Sequence, residues 1–143
     1  MYGAQAEWWG SGSFISSDGL ILTNAHVASI HAPGLALFYD DISFALTPEP
    51  DALIVAIIEN ESRPPERKYI AEVVSADGAL DLAVIKIVSD LDGNPVDPDL
   101  LNVPFVELGD SDQVQLGESV RIFGFPGIGG ETITFTQGTV SGF

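Results

Sequence analysis

Along most of this chain, apolar and polar positions follow the short period of β-strands, and helix-like spacing is brief. Residues 13–16 and 20–23 are two short apolar runs joined by Ser17-Asp18-Gly19. Asp-Gly between apolar runs predicts a hairpin, because Gly accepts positive φ without strain. Residues 52–59, "ALIVAIIE", are rich in aliphatic and β-branched side chains. Residues 69–76 follow, then the turn Asp77-Gly78, then residues 82–88, "LAVIKIV". Residues 118–125 and 132–140 make a last pair around a Gly-rich turn at 126–130. Short strands at such spacing predict an all-β barrel or sandwich.

Helix signals are few. A single turn is predicted to begin near Ala25, with Thr23 or Asn24 capping its exposed N–H groups. Residues 62–68 and 90–101 carry Pro, charge or Gly and read as loops. Residues 32–51 stay open between strand and packed loop, since "LALFYDD" and "ISFAL" suit either.

Composition sharpens this picture. With 143 residues, 45% of them apolar, the chain has room for one domain, or for one domain and part of another. Its longest apolar runs are too short to cross a bilayer. No basic region followed by an apolar stretch opens the chain, so no signal peptide is expected. Cysteine is absent, which excludes disulfides and thiolate chemistry. Acidic residues number 21 against 5 basic ones, a formal net charge of −16. Such a surface repels phosphate backbones, so nucleic acid is not an expected partner. The acidity reads first as solubility.

His26, in "LTNAHV", is one of only two histidines. Imidazole titrates near neutral pH and can take a proton from a nucleophile and return it to a leaving group. For that it needs a carboxylate on its other nitrogen. Asp81, directly before the run 82–88, is the candidate, and Asp77 competes with it. Asp77 precedes Gly78 and reads better as a turn residue. Taken singly, a lone His after a strand or an Asp before one is more often structural. His31 sits among Ala, Pro and Gly and reads as a surface loop residue. Asp90, Asp92 and Asn94 have the odd spacing of a calcium loop, but Pro95 and Leu101 occupy the positions that need Gly and Glu, so a solvated acidic loop is expected.

The surrounding letters go further. Residues 10–27, "GSGSFISSDGLILTNAHV", closely resemble the segment around the catalytic histidine of trypsin-like serine proteases of the bacterial Deg/Htr type. "DLAVIKI" at 81–87 resembles the strand that follows that family's catalytic aspartate. "LGDSDQVQLGESVRIFGFPG" at 108–127 is similar to its interdomain connection and the first strand of its second barrel, and "TITFTQGTVSGF" at 132–143 to the next strand. Four stretches match in the right order.

The resemblance implies a six-stranded antiparallel Greek-key barrel plus the first hairpin of a second, incomplete barrel. It divides the chain into residues 1–110, carrying base and acid, and 111–143, the connection and hairpin. It makes His26 the general base and Asp81 its orienting acid in a serine endopeptidase acting on polypeptides, with no cofactor and no metal. It also implies an extracytoplasmic or secreted setting. The family's nucleophile lies in a Gly-Asn-Ser-Gly-Gly-type stretch, and no Gly-x-Ser-Gly occurs in these residues. The expectation is therefore a protease fragment that is inactive alone. The alternative is a pseudoprotease or peptide-binding β-barrel module. The apolar hairpin of residues 118–143 is expected to pair two copies of the chain into a homodimer.

Overall fold

Alternation in the sequence becomes alternation in burial. The structure is a computed structural model and describes residues 7–39, 47–125 and 132–143. Five strands form the first sheet: β1 (Gly12–Phe14), β2 (Leu20–Thr23), β3 (Leu53–Ile57), β4 (Glu66–Asp77) and β5 (Leu82–Asp90). In β5, Ala83, Ile85 and Ile87 are buried while their neighbours are not, as a two-residue period requires. β2 repeats the pattern, and Ile21 pairs directly with Ile85 and Thr23 with Ala83.

All neighbours in this sheet are antiparallel, in the order β1-β2-β5-β4-β3. A long connection carries the chain from β2 to the far edge, and β5 then returns beside β2. That is Greek-key connectivity. Register shifts at Val55/Ala56, Ile70/Ala71 and Val73/Ser75 bend the strands and curl the sheet into a half-barrel. The all-β expectation and the antiparallel Greek-key order are met. Five strands lie in this sheet among the described residues. The open segment 32–51 holds a 3₁₀ turn at Leu35–Leu37, and its residues 40–46 lie outside the described residues.

The concave face encloses a core of small and branched residues: Ile21, Ala25, Ala28, Ala32, Leu35, Val55, Ala71, Ala83, Ile85 and Ile87. Leu35 is completely buried, which contributes roughly 1.5–3 kcal/mol. The 3₁₀ turn thereby drives its leucine into the core and closes the long connection over the sheet.

Two expected loops are partly ordered. β4 begins at Glu66, inside the Pro-rich stretch, where Glu66 pairs with Ile57 and Arg67 with Ala56. A partner strand at a sheet edge keeps one face in solvent, so charged side chains are tolerated there. Residues 98–101 form the short helix α2 (Pro98–Leu101). Asp97 caps it by accepting from the Asp99 N–H at 3.1 Å, and Pro98 supplies a fixed φ at its first position.

The second sheet is a hairpin of β6 (Ser119–Gly124) and β7 (Thr134–Thr139). The expected Gly-rich turn at 126–130 lies outside the described residues. The connection from α2 runs along β1, with the Val106 N–H donating to the Phe14 carbonyl at 2.9 Å. The Phe125 N–H donates to Ser11 Oγ at 2.8 Å and joins the end of β6 to the start of β1.

Gly78 shows how tightly the long connection sits on the β4–β5 turn. Its N–H donates to the Pro33 carbonyl at 3.0 Å, and an added Cβ would lie 2.2 Å from the Leu35 nitrogen. The obstacle is backbone and cannot swing aside. Gly78→Ala is expected to destabilise the fold by about 1–3 kcal/mol, as an overpacked site does. Urea unfolding of the two proteins checks this, and equal midpoints would contradict it.

Candidate active site

The site begins with one helical turn, α1 (Ala25–Ala28), directly after β2. Ala25 and Ala28 are three apart and point into the core, so His26 between them points outward. Asn24 takes the extended N-cap conformation but makes no side-chain cap. The expected cap is replaced by a long-range one. Asp81 Oδ1 accepts from the His26 backbone N–H at 2.9 Å. The Asn24 side-chain amide turns to Asp81 instead, donating to its carbonyl at 3.0 Å and to Oδ2 at 3.3 Å. Thr23 is also spent elsewhere, its hydroxyl donating to the Ser11 carbonyl at 2.8 Å.

The second carboxylate oxygen of Asp81 lies 2.7 Å from His26 Nδ1. Asp81 thus grips the same residue twice, by main chain and by ring. It sits at the last position of the β4–β5 turn with φ +52°, a left-handed conformation that Asp tolerates better than most residues. Partial burial pushes its carboxyl up, but the His26 backbone N–H, the His26 ring and the Asn24 amide together hold it below the ordinary value of 3.8. An ionised carboxylate only accepts, so the neutral imidazole carries its proton on Nδ1. Nε2 then keeps its lone pair. With the histidine side chain 39% exposed, that nitrogen is available to take a proton from an incoming group.

The Tyr39 ring stands 5.9 Å from the imidazole, tilted by 51°. A shallow depression of ≈ 450 Å³ lies beside the pair, lined by Phe38, Tyr39, Ala79, Leu80 and Asp81. Asp77 is occupied by its own turn, its Oδ1 accepting from the Ala79 and Leu80 N–H groups at 2.9 and 3.1 Å. His31 stays apart from the pair. Its backbone N–H donates to Glu49 Oε1 at 2.8 Å, and its Nδ1 lies 3.6 Å from the same oxygen. In the acidic loop, Asp90 Oδ1 accepts from the Asp92 and Asn94 N–H groups, both at 2.9 Å, which fixes the turn internally.

Residues 10–143 match the profile of the trypsin-like peptidase domain. The chain belongs to that family. Among its relatives is a probable periplasmic serine endoprotease DegP-like of Marinomonas sp., 31% identical over 132 residues, covering 92% of this chain and 20% of the relative. A protein of the same name from Halomonas elongata is 31% identical over 117 residues, covering 82% and 17%. A solved structure of the HtrA-type protease AlgW with a decapeptide superposes with a TM-score of 0.60 at 30% identity, covering 92% of this chain and 29% of that one. This trypsin-like peptidase chain therefore spans about a fifth of the length of the curated relatives it matches.

The charge on Asp81 carries a stability signature. Its pKa is lowered on folding, so its contribution is fully present above the unfolded value near 3.8 and is lost as pH falls below that. Asp81→Asn is expected to lower stability at neutral pH. The gap to the unsubstituted protein is expected to narrow as pH falls below about 4. Urea midpoints across a pH series test this, and parallel curves down to the acid limb would contradict it.

Proposed function

We propose that this chain supplies the general base and the orienting acid of a serine endopeptidase, with His26 as base and Asp81 as acid. The observation that carries the reading is the 2.7 Å contact from Asp81 Oδ2 to His26 Nδ1, made by the two residues that the sequence resemblance singles out. Nε2 would take the proton of a nucleophilic hydroxyl and pass it to the leaving amine, while Asp81 stabilises the imidazolium. The chemistry calls for no cofactor. Because no Gly-x-Ser-Gly stretch occurs among these 143 residues, the nucleophile and its oxyanion-binding N–H groups would come from outside them.

The substrate proposed is a polypeptide, supported by the decapeptide held by the structurally similar AlgW. An extracytoplasmic setting is supported by relatives named periplasmic. The net charge of −16 opposes a nucleic-acid partner. Residues 1–110 are proposed as the unit that holds the pair, and 111–143 as the connection and hairpin of a second barrel. Support for that division is that β6 and β7 pair with each other in a sheet of their own.

Losing the nucleophile of such an enzyme costs on the order of 10⁶ in kcat. The 143-residue chain is therefore expected to resist labelling by a fluorophosphonate probe. Protein expressed from the whole reading frame is expected to be labelled, and to lose labelling on His26→Ala. A whole protein that is never labelled, yet still binds extended peptides, would replace this reading with that of a peptide-binding module.

The hairpin is proposed to pair two copies of the chain. Ile122, Phe123 and Phe135 are all more than half exposed on its two strands. A two-stranded sheet is marginal alone. Light scattering at micromolar concentration is expected to show a dimer for residues 1–143 and a monomer for residues 1–117; monomers in both would end the idea.

A further inference from the structure

The turn that carries the base is only four residues long, too short to hold itself in place. Asp81 and Asn24 secure its N-terminal end. Its C-terminal end needs partners for its free carbonyls. The Ser29 N–H bonds to the Ala25 carbonyl at 2.8 Å. The Val27 carbonyl receives a donor from far away in sequence, the indole Nε1–H of Trp8 at 2.9 Å.

Trp8 belongs to an arm that meets this turn at Val27. At Gly10 an added Cβ would come 2.5 Å from both Val27 methyl carbons, so the arm's backbone touches that side chain directly. The arm is fastened on both sides of Trp8. The Arg67 guanidinium on β4 sits 4.9 Å from the Trp9 ring centroid and forms an ion pair with Glu7. Beyond Gly10, the Ser11 carbonyl accepts from the Thr23 hydroxyl at the end of β2.

We infer that Trp8 is a positioning residue for His26: its indole N–H fixes the far end of the turn, so that the imidazole stays aligned on Asp81. The inference rests on the reading of His26 as the base. An arm that merely covered apolar surface would need the ring of Trp8 and not its N–H. With the indole bond gone, the turn pivots about its Asp81 anchor, and the ring nitrogens sample both tautomers.

The test uses the full chain and removes the N–H alone, by replacing Trp8 with the isosteric 3-benzothienylalanine; Trp8→Phe serves as a second variant. Val55→Ala on β3, away from the turn, is the control for lost stability. ¹⁵N shifts of the His26 ring report its tautomer ratio, and amide exchange of Ser29 reports the turn. Both Trp8 variants are expected to move the ratio away from the Nδ1–H form and to speed Ser29 exchange by about two- to tenfold, the range for one lost neutral hydrogen bond. Val55→Ala is expected to leave the ratio unchanged. A tautomer ratio unaltered in the benzothienyl variant overturns the inference, as does an equal change in Val55→Ala. The readout does not depend on a nucleophile, so failure to label the whole protein would count against the protease reading and leave this result standing.

Discussion

The double grip of the Asp81 carboxylate on His26 sets the demands that the surrounding fold meets. Its two oxygens stand 2.9 and 2.7 Å from two nitrogens of one residue, 55 positions earlier in the chain. Such geometry survives only if the end of β2 and the start of β5 are held side by side. The antiparallel pairing of Thr23 with Ala83 does this. The Greek-key return that places β5 against β2 is therefore the step that creates the site. The hydrogen bonds also compensate the partial burial of a charge that would otherwise be costly.

Support then spreads outward in layers. Ala25 and Ala28 seat the helical turn in the core, and their small size lets the turn sit close to the sheet. Leu35 and the contact of residues 33–35 with Gly78 brace the β4–β5 turn from the other side. Glu49 accepts from the Ile30 and His31 N–H groups at 3.1 and 2.8 Å, tying down the chain just past the turn. The chain as a whole is acidic, with 21 acidic residues against 5 basic ones. Three of the five basic residues, Arg67, Lys68 and Lys86, are engaged with Glu7, Glu59 and Asp18. Exposed ion pairs of this kind contribute little each, so the fold rests on packing and backbone pairing.

How much of this was legible depended on the range of the interactions. β2 was readable to the residue, because its two-residue alternation is a local signal. The pair His26 and Asp81 was legible as two motifs, and its contact only through the fold that joins them. Asn24 was misread as a cap, since its short-range preference competes with a carboxylate that no local pattern reveals. Trp8 carried no signal at all, because its acceptor is a backbone carbonyl 19 residues away. The missed helix α2 differs: Asp97-Pro98 is a start signal of cap and first position, and it was outweighed by the surrounding Pro and Gly. The early start of β4 was hidden by charges that the solvent face of an edge pair accepts without cost.

The positive φ of Asp81 bears on which acids can stand there at all. Aspartate combines two properties that rarely coincide: a short polar side chain that tolerates the left-handed backbone, and a carboxylate one bond from Cβ. Glutamate would lengthen the reach by a methylene, carry the oxygens past the main-chain nitrogen of His26, and sit less easily in that conformation. Asparagine would keep the backbone but could not accept through both of its terminal atoms. The position is thus restricted twice, by chain direction and by charge, and ordinary acid-for-acid exchange is closed to it.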